Sequence, residues 1–184
     1  MSFKALILDR DGVINQNHGY VHKQEDFDFI DGIFDLARNA HAKNYRLLVI
    51  TNQAGIGRGY YSEDQFHQLT DWMRQQFLTA GAPITSVYFS PYHPTAGLGR
   101  YLKDDFSRKP HPGMILQAQK DLSLDLKHSV LIGDKVSDIQ AGVAAGVGTN
   151  LLFAPDRPIE LEDVNYEVIS TLNEAISYLQ SEAQ

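Results

Sequence analysis

Five short apolar runs without polar alternation, at residues 5–8, 47–50, 87–89, 130–132 and 151–153, constrain this chain more than any other feature. A strand with one wet face alternates apolar and polar residues. An unbroken run suits a strand covered on both faces, the condition inside a parallel sheet. Between the runs, apolar residues recur at helical spacing. Ile33, Leu36, Ala37 and Ala40 form one stripe, and Phe66, Leu69, Met73, Phe77 and Ala80 form another. Ser62 with Gln65 predicts a capping box, and Gly81 a helix stop. Pro112 suits the first turn of a helix through Met114, Ile115 and Ala118. A further helix is expected at 138–145, ended by Gly146. Thr171 and Glu174 cap a last one, with Leu172, Ala175, Ile176 and Leu179 as its stripe. This β-α alternation predicts one α/β domain over 1–184, a central parallel sheet between two helical layers.

Such sheets bind ligands beyond the carboxyl ends of their strands. Three predicted strand ends carry reactive side chains: Asp9-Arg10-Asp11-Gly12, Thr51-Asn52-Gln53 and Gly133-Asp134-Lys135, with Asp138 beyond. In extended backbone Asp9 and Asp11 point the same way. Two carboxylates so aimed repel unless something neutralises them. A hard cation with oxygen ligands would do so, and Asp134 offers a further ligand. A lone acid at a strand end reads as a solvated loop residue or helix cap. A set at three ends of one sheet reads as a site.

Composition narrows the field. With a net charge of −7 and no basic run, the chain is not expected to bind nucleic acid. The absence of cysteine excludes disulfides, thiolate metal sites and cysteine nucleophiles. Residues 5–8 are too short a run for a signal peptide or membrane span, so a cytoplasmic protein without membrane contact is expected. No apolar stripe is left over, and a monomer is the expectation.

The motifs together resemble the haloacid dehalogenase superfamily. Asp9-Arg10-Asp11-Gly12-Val13 is similar to its first motif and Thr51 to its second. Lys109 is similar to the third, and Gly133-Asp134-Lys135-Val136-Ser137-Asp138 to the fourth. The resemblance implies a Rossmann-like three-layer sandwich and a magnesium-dependent phosphatase. Asp9 would be the nucleophile and Asp11 the acid and base. Mg²⁺ would sit on the Asp9 carboxylate, the Asp11 carbonyl and Asp134. Thr51, Asn52 and Lys109 would hold the phosphoryl oxygens. The gaps between motifs have no room for a cap domain, so the enzyme should be capless.

Local sequences resemble the D-glycero-D-manno-heptose 1,7-bisphosphate 7-phosphatases, which serve lipopolysaccharide synthesis. They are His18-Gly19-Tyr20-Val21-His22, the segment 51–59, and Arg108-Lys109-Pro110-His111-Pro112-Gly113-Met114. That implies a small phosphorylated sugar as substrate. Asn17, His18, Gly19 and Tyr20 would line the sugar site. Thr51, Asn52, Gln53 and Ala54 would cradle the transferred phosphate, Arg108 would recognise substrate, and Lys135 would touch phosphate. Histidinol phosphate or another small phosphoester is the alternative substrate. A silent binding module would have lost Asp9, Asp11, Lys109 or Asp134, and all are present.

Two further readings concern loops. Gly55, Gly57 and Gly59 lack Walker or Rossmann spacing and are read as backbone flexibility near the phosphate. Relatives often hold a structural Zn²⁺ in the loop before Lys109. Here the corresponding positions are Ser90, Tyr92, Asp105 and Ser107, poor zinc ligands. The loop is expected to order without metal, by packing of Gly97, Leu98, Gly99, Tyr101, Leu102 and Phe106. A replacement site from His93, His111, Asp104 and Asp105 is the alternative.

Overall fold

The computed structural model describes residues 2–155 and 165–180. Six parallel strands lie in the order β3-β2-β1-β4-β5-β6: β1 Ala5–Leu8, β2 Arg46–Asn52, β3 Ile84–Ser90, β4 Val130–Gly133, β5 Thr149–Phe153 and β6 Glu167–Ile169. The helices are α1 Ile33–Ala42, α2 Ala54–Gly57, α3 Glu63–Thr79, α4 Gly113–Leu122 and α5 Val136–Ala145.

Alternate residues of each strand face opposite layers. Leu6, Leu8, Leu47, Val49 and Ile132 pack under α1 and α3, against Ile33, Leu36, Met73 and Phe77. Ala5, Ile7, Leu48, Ile50 and Leu131 pack under α4 and α5, against Ile115, Ala118 and Ile139. Both faces are therefore dry, which is why the strands read as continuous apolar runs. Each fully enclosed aliphatic side chain contributes about 1.5–3 kcal/mol, so the paired cores hold the sheet firmly.

The Ser62 capping box works as read, whereas Pro112 stands at the N-cap just before α4 and α5 begins at Val136 rather than at 138. Ser62 accepts from the Gln65 N–H at 3.1 Å, and Gln65 Oε1 returns to the Ser62 N–H at 2.9 Å. Gly146 ends α5 with φ +84°. The last predicted helix is instead a 3-10 turn, Glu174–Tyr178. Thr171 and Glu174 still bond to each other, but distant side chains capture the chain that would continue the helix. Lys43 Nζ takes the Leu179 carbonyl at 2.7 Å, and Tyr45 Oη accepts from the Gln180 N–H at 3.0 Å. Strand β6 and the single turn α2 carry too few periodic residues to be read from sequence.

All parallel strands end on one edge. There, 9–32 and 91–112 are loops with one short 3-10 turn each, Gln24–Asp26 and Gly99–Tyr101. Among the described residues no folded cap stands over that edge, and no helix is long and apolar enough to cross a membrane.

Candidate active site

The ends of β1, β2 and β4 and the loop before α4 converge on a cavity of about 510 Å³. Asp9 leaves β1 and is 5% exposed. Lys109 reaches under it: Nζ lies 2.9 Å from Asp9 Oδ1, 2.7 Å from Asp138 Oδ1 and 3.1 Å from the Ile50 carbonyl. Asp138 also accepts from the Lys135 N–H at 3.0 Å, so α5 begins by fixing the partner of the lysine. A reciprocal amide pair holds the lysine loop to β2. Asn52 donates to the Lys109 carbonyl and accepts from the Lys109 N–H, both at 3.0 Å.

The electrostatics are strained in one direction. Burial first, then Asp138, push the Asp9 carboxyl up to about 8, although Lys109 opposes this. Burial and Asp138 also raise Asp134, against Lys135. Burial works against the Lys109 ammonium, but Asp138 and Asp9 outweigh it and raise its pKa. Negative charge at this strand edge exceeds what one lysine offsets.

Asp9, Asp134 and Asp138 each place an oxygen within 4.8 Å of the others, the only such group among the described residues. Asp138 is committed to Lys109 and the Lys135 N–H. Asp134 Oδ1 is buried and meets no donor. An enclosed carboxylate oxygen without a donor beside a raised Asp9 fits a hard divalent cation held by oxygen ligands. Gly12, with φ +98°, makes room for Asp134: a Cβ there would stand 2.2 Å from Asp134 Oδ2.

Asp11 is fixed by three donors. Arg10 Nη2 lies 2.8 Å and Asn15 Nδ2 3.1 Å from Oδ1, and Gln53 Nε2 lies 3.0 Å from Oδ2. Gln53 also donates to Thr51 Oγ1 at 2.8 Å and accepts from the Tyr61 hydroxyl. Arg10 is 1% exposed, bonded to the Val21 carbonyl and set between the Phe27 and Phe66 rings. It ties the Asp9-Arg10-Asp11 turn to the loop that carries Tyr20.

Of the residues singled out in sequence, Asp9, Asp11, Asn17, Gly19, Tyr20, Asn52, Gln53, Ala54, Arg108, Lys109 and Lys135 line the cavity. Thr51 is buried behind Gln53. Asp134 stands beside Gly12. His18 turns to Asp28 at 2.8 Å, outside the lining. Tyr61, Ser137 and Asp138 also line it. The fourth motif flags Asp138. Nothing in sequence marks Tyr61, nor the buried role of Arg10, because most arginines are solvated.

Both loop readings need amending. Gly55 and Gly57 are packed, not flexible: a Cβ would stand 2.2 Å from the Tyr61 ring and 2.3 Å from the Pro91 carbonyl. In the loop before Lys109 the packing is partial: Tyr101 packs against the Ile56, Tyr61 and Phe66 cluster and Gly97 is buried against the Tyr101 carbonyl, whereas Leu98, Leu102 and Phe106 are 63%, 51% and 59% exposed. Polar contacts supply the rest. Ser107 Oγ donates to Ser90 Oγ at 3.0 Å, Lys103 Nζ lies 2.6 Å from Asp105 Oδ2, and the same ammonium covers the Tyr92 ring at 4.5 Å. His111 pairs with Asp104 at 3.3 Å, while His93 accepts from backbone N–H groups, so these residues are engaged separately.

Known proteins resemble this chain in sequence and in fold. Residues 106–153 match the HAD-hydrolase-like family model. A Burkholderia mallei protein named D-glycero-alpha-D-manno-heptose-1,7-bisphosphate 7-phosphatase is 61% identical over 153 residues, 83% of this chain and 81% of its own. The Escherichia coli K12 protein named D-glycero-beta-D-manno-heptose-1,7-bisphosphate 7-phosphatase is 40% identical over 188 residues, covering 100% of this chain and 98% of its own. A D,D-heptose 1,7-bisphosphate phosphatase structure from B. bronchiseptica, complexed with magnesium and phosphate, shares the fold. Its TM-score is 0.80 at 24% identity, over 96% of this chain and 97% of its own.

Proposed function

We propose, because this chain belongs to the D-glycero-D-manno-heptose-1,7-bisphosphate 7-phosphatase family of HAD-like hydrolases, that it removes the 7-phosphate of that sugar through a phospho-aspartate on Asp9. The observation that carries the chemistry is the enclosed Lys109–Asp9 contact beside an unpartnered Asp134 oxygen.

An Asp9 oxygen attacks phosphorus, and the bond from phosphorus to the sugar oxygen breaks. Asp11 gives that oxygen its proton. Water then attacks phosphorus and loses a proton to Asp11. The bond to Asp9 breaks, releasing phosphate and restoring the carboxylate. Asn52 and Lys109 hold the phosphoryl oxygens as charge moves among them, and the Thr51 hydroxyl, buried behind Gln53, joins them once the Gln53 amide shifts. Gln53, Asn15 and Arg10 keep Asp11 aimed at the cavity. Mg²⁺ bound by Asp9, the Asp11 carbonyl and Asp134 would screen the approach of one anion to another.

Asn17, His18, Gly19, Tyr20, Gln53, Ala54, Arg108 and Lys135 would contact the substrate. For His18 this requires turning from Asp28. The whole chain acts as one cytoplasmic, monomeric domain with no nucleic-acid or membrane partner, consistent with its acidic charge. A turnover panel of heptose 1,7-bisphosphate in both anomers, fructose 1,6-bisphosphate and histidinol phosphate tests the reading. Preferred cleavage of a heptose ester at position 7 is expected. Comparable rates across the panel would defeat the heptose assignment.

A further inference from the structure

From the aromatic contacts behind the loop that carries Tyr20, we infer that Tyr60 is a positioning residue for the sugar. Tyr60 does not line the cavity; it holds Tyr20, which does, ring against ring. This role deepens the heptose reading above and rests on it.

Tyr20 stands in a conformation it would not adopt alone. Its φ is +54°, in the left-handed region that residues with a Cβ rarely occupy. Gly19 before it has φ +79°, so the chain turns sharply where it presents Tyr20 to the cavity. Such backbone persists only where its surroundings impose it, and it clusters at ligand sites. Burial is not the cause here, because Tyr20 is 45% exposed. Two contacts are. The Tyr20 carbonyl accepts from His22 Nδ1 at 2.9 Å, and the His22 ring lies flat on Tyr61, with 4.9 Å between centroids and 4° between planes. The Tyr20 ring itself meets Tyr60 at 4.7 Å and 79°, the edge-to-face geometry that aromatic quadrupoles favour. The Arg58 guanidinium is the weaker neighbour, 5.9 Å from the Tyr20 ring and at the limit of cation–π attraction.

The support behind Tyr60 is firm. Its N–H donates to the Gly55 carbonyl at 2.9 Å, and the next residue, Tyr61, is buried against Gly55 and bonded to Gln53. Two adjacent residues thus reach both halves of the site. Tyr61 steadies Asp11 through Gln53, and Tyr60 steadies the sugar loop through Tyr20. Tyr60 is 55% exposed, so its ring adds little to the core. Without it, Tyr20 is free to relax to ordinary backbone, and the substrate must order the ring again on binding. That cost falls on binding of the sugar and leaves the chemistry at phosphorus alone.

The test measures kcat and KM for heptose 1,7-bisphosphate, and for acetyl phosphate, whose leaving group carries no sugar. The proteins are the wild type, Tyr60→Ala, Tyr60→Phe, Tyr20→Ala and the double alanine variant, each checked for cooperative thermal unfolding. Tyr60→Ala should lower kcat/KM for the heptose ester about three- to tenfold, the range of one aromatic pair, chiefly through KM. Acetyl phosphate should be cleaved within about twofold of the wild type by the same variant. Tyr60→Phe should match the wild type on both substrates, because the ring and not the hydroxyl makes the contact. Adding Tyr60→Ala to Tyr20→Ala should change the heptose KM by no more than about twofold, since the partner is already gone. Losses that add in the double variant, an equal loss on acetyl phosphate, or an unchanged heptose KM in Tyr60→Ala would each overturn the role of Tyr60 and leave the heptose reading standing. A wild type that cleaves acetyl phosphate but no heptose ester would overturn both.

Discussion

The Lys109 ammonium stands 2.9 Å from Oδ1 of Asp9, with both side chains almost wholly enclosed. The contact holds the proposed nucleophile in place before substrate arrives. It also keeps a fixed cation where phosphoryl oxygens will come to lie, so that little reorganisation is needed during the reaction.

Replacing this lysine separates the two roles. Lys109→Met leaves Asp9 and Asp138 buried without their cation, which costs about 3–5 kcal/mol of stability. Turnover of an aryl phosphate should fall by about 10²–10³, the usual loss for one preorganised donor. Adding Asp138→Leu should restore much of the stability and none of the rate. Urea unfolding and steady-state kinetics on the three proteins check both parts.

Magnesium and pH should be linked through Asp9. Its carboxyl stands at about 8 when no cation is present, against 3.8 for an ordinary one. A raised acid stabilises the fold in its protonated form. That contribution is whole below about pH 4 and lost as pH rises through about 8, and Asp134 moves the same way. Mg²⁺ requires the ionised form. The gap in Tm between magnesium and chelator should therefore widen from about pH 6 to about pH 8.5, and shrink in Asp9→Asn. A gap that is flat across this window contradicts the linkage.

Gly12→Ala should weaken the metal site as well as strain the turn. The new Cβ would meet Asp134 Oδ2 at 2.2 Å in a backbone with φ +98°. Displacing that carboxylate should weaken Mg²⁺ by about 10–100-fold, a range typical of changes beside a ligand. Magnesium titration of activity, and calorimetry of Mg²⁺ binding, report it. An unchanged affinity would show that Asp134 is not a ligand.

Tyr61→Phe tests the orientation of Asp11. Burial pushes the phenol up to about 12, so it remains a donor at any working pH and keeps Gln53 turned towards Asp11. Loss of that bond is worth about 1 kcal/mol, or roughly fivefold in kcat with KM little changed. A rise in KM at constant kcat would instead make Tyr61 a substrate contact.

The sheet and the acids at its edge are legible in sequence because each has a local cause. Strands dry on both faces leave continuous apolar runs, and Ser62, Gln65 and Gly146 act within a turn of themselves. What escapes depends on distant partners. The last helix is tightened into a 3-10 turn by Lys43 and Tyr45, over 130 residues away in the chain. Arg10 is buried only because Phe27, Phe66 and the Val21 carbonyl gather round it. Gly55 looks like a loosened loop until the Tyr61 ring is placed against it. The polar ties of Ser90 with Ser107 and Lys103 with Asp105 likewise exist only once the loop has closed.

The reciprocal amides of Asn52 and Lys109 bear on how the molecule is made. They join positions 57 residues apart, and the lysine then depends on Asp138, further on still. A chain emerging from the ribosome exposes Asp9 long before it can supply either partner. Competence should thus arrive in one step, when β4 and α5 dock, and a growing chain halted short of residue 138 should leave phosphoesters untouched.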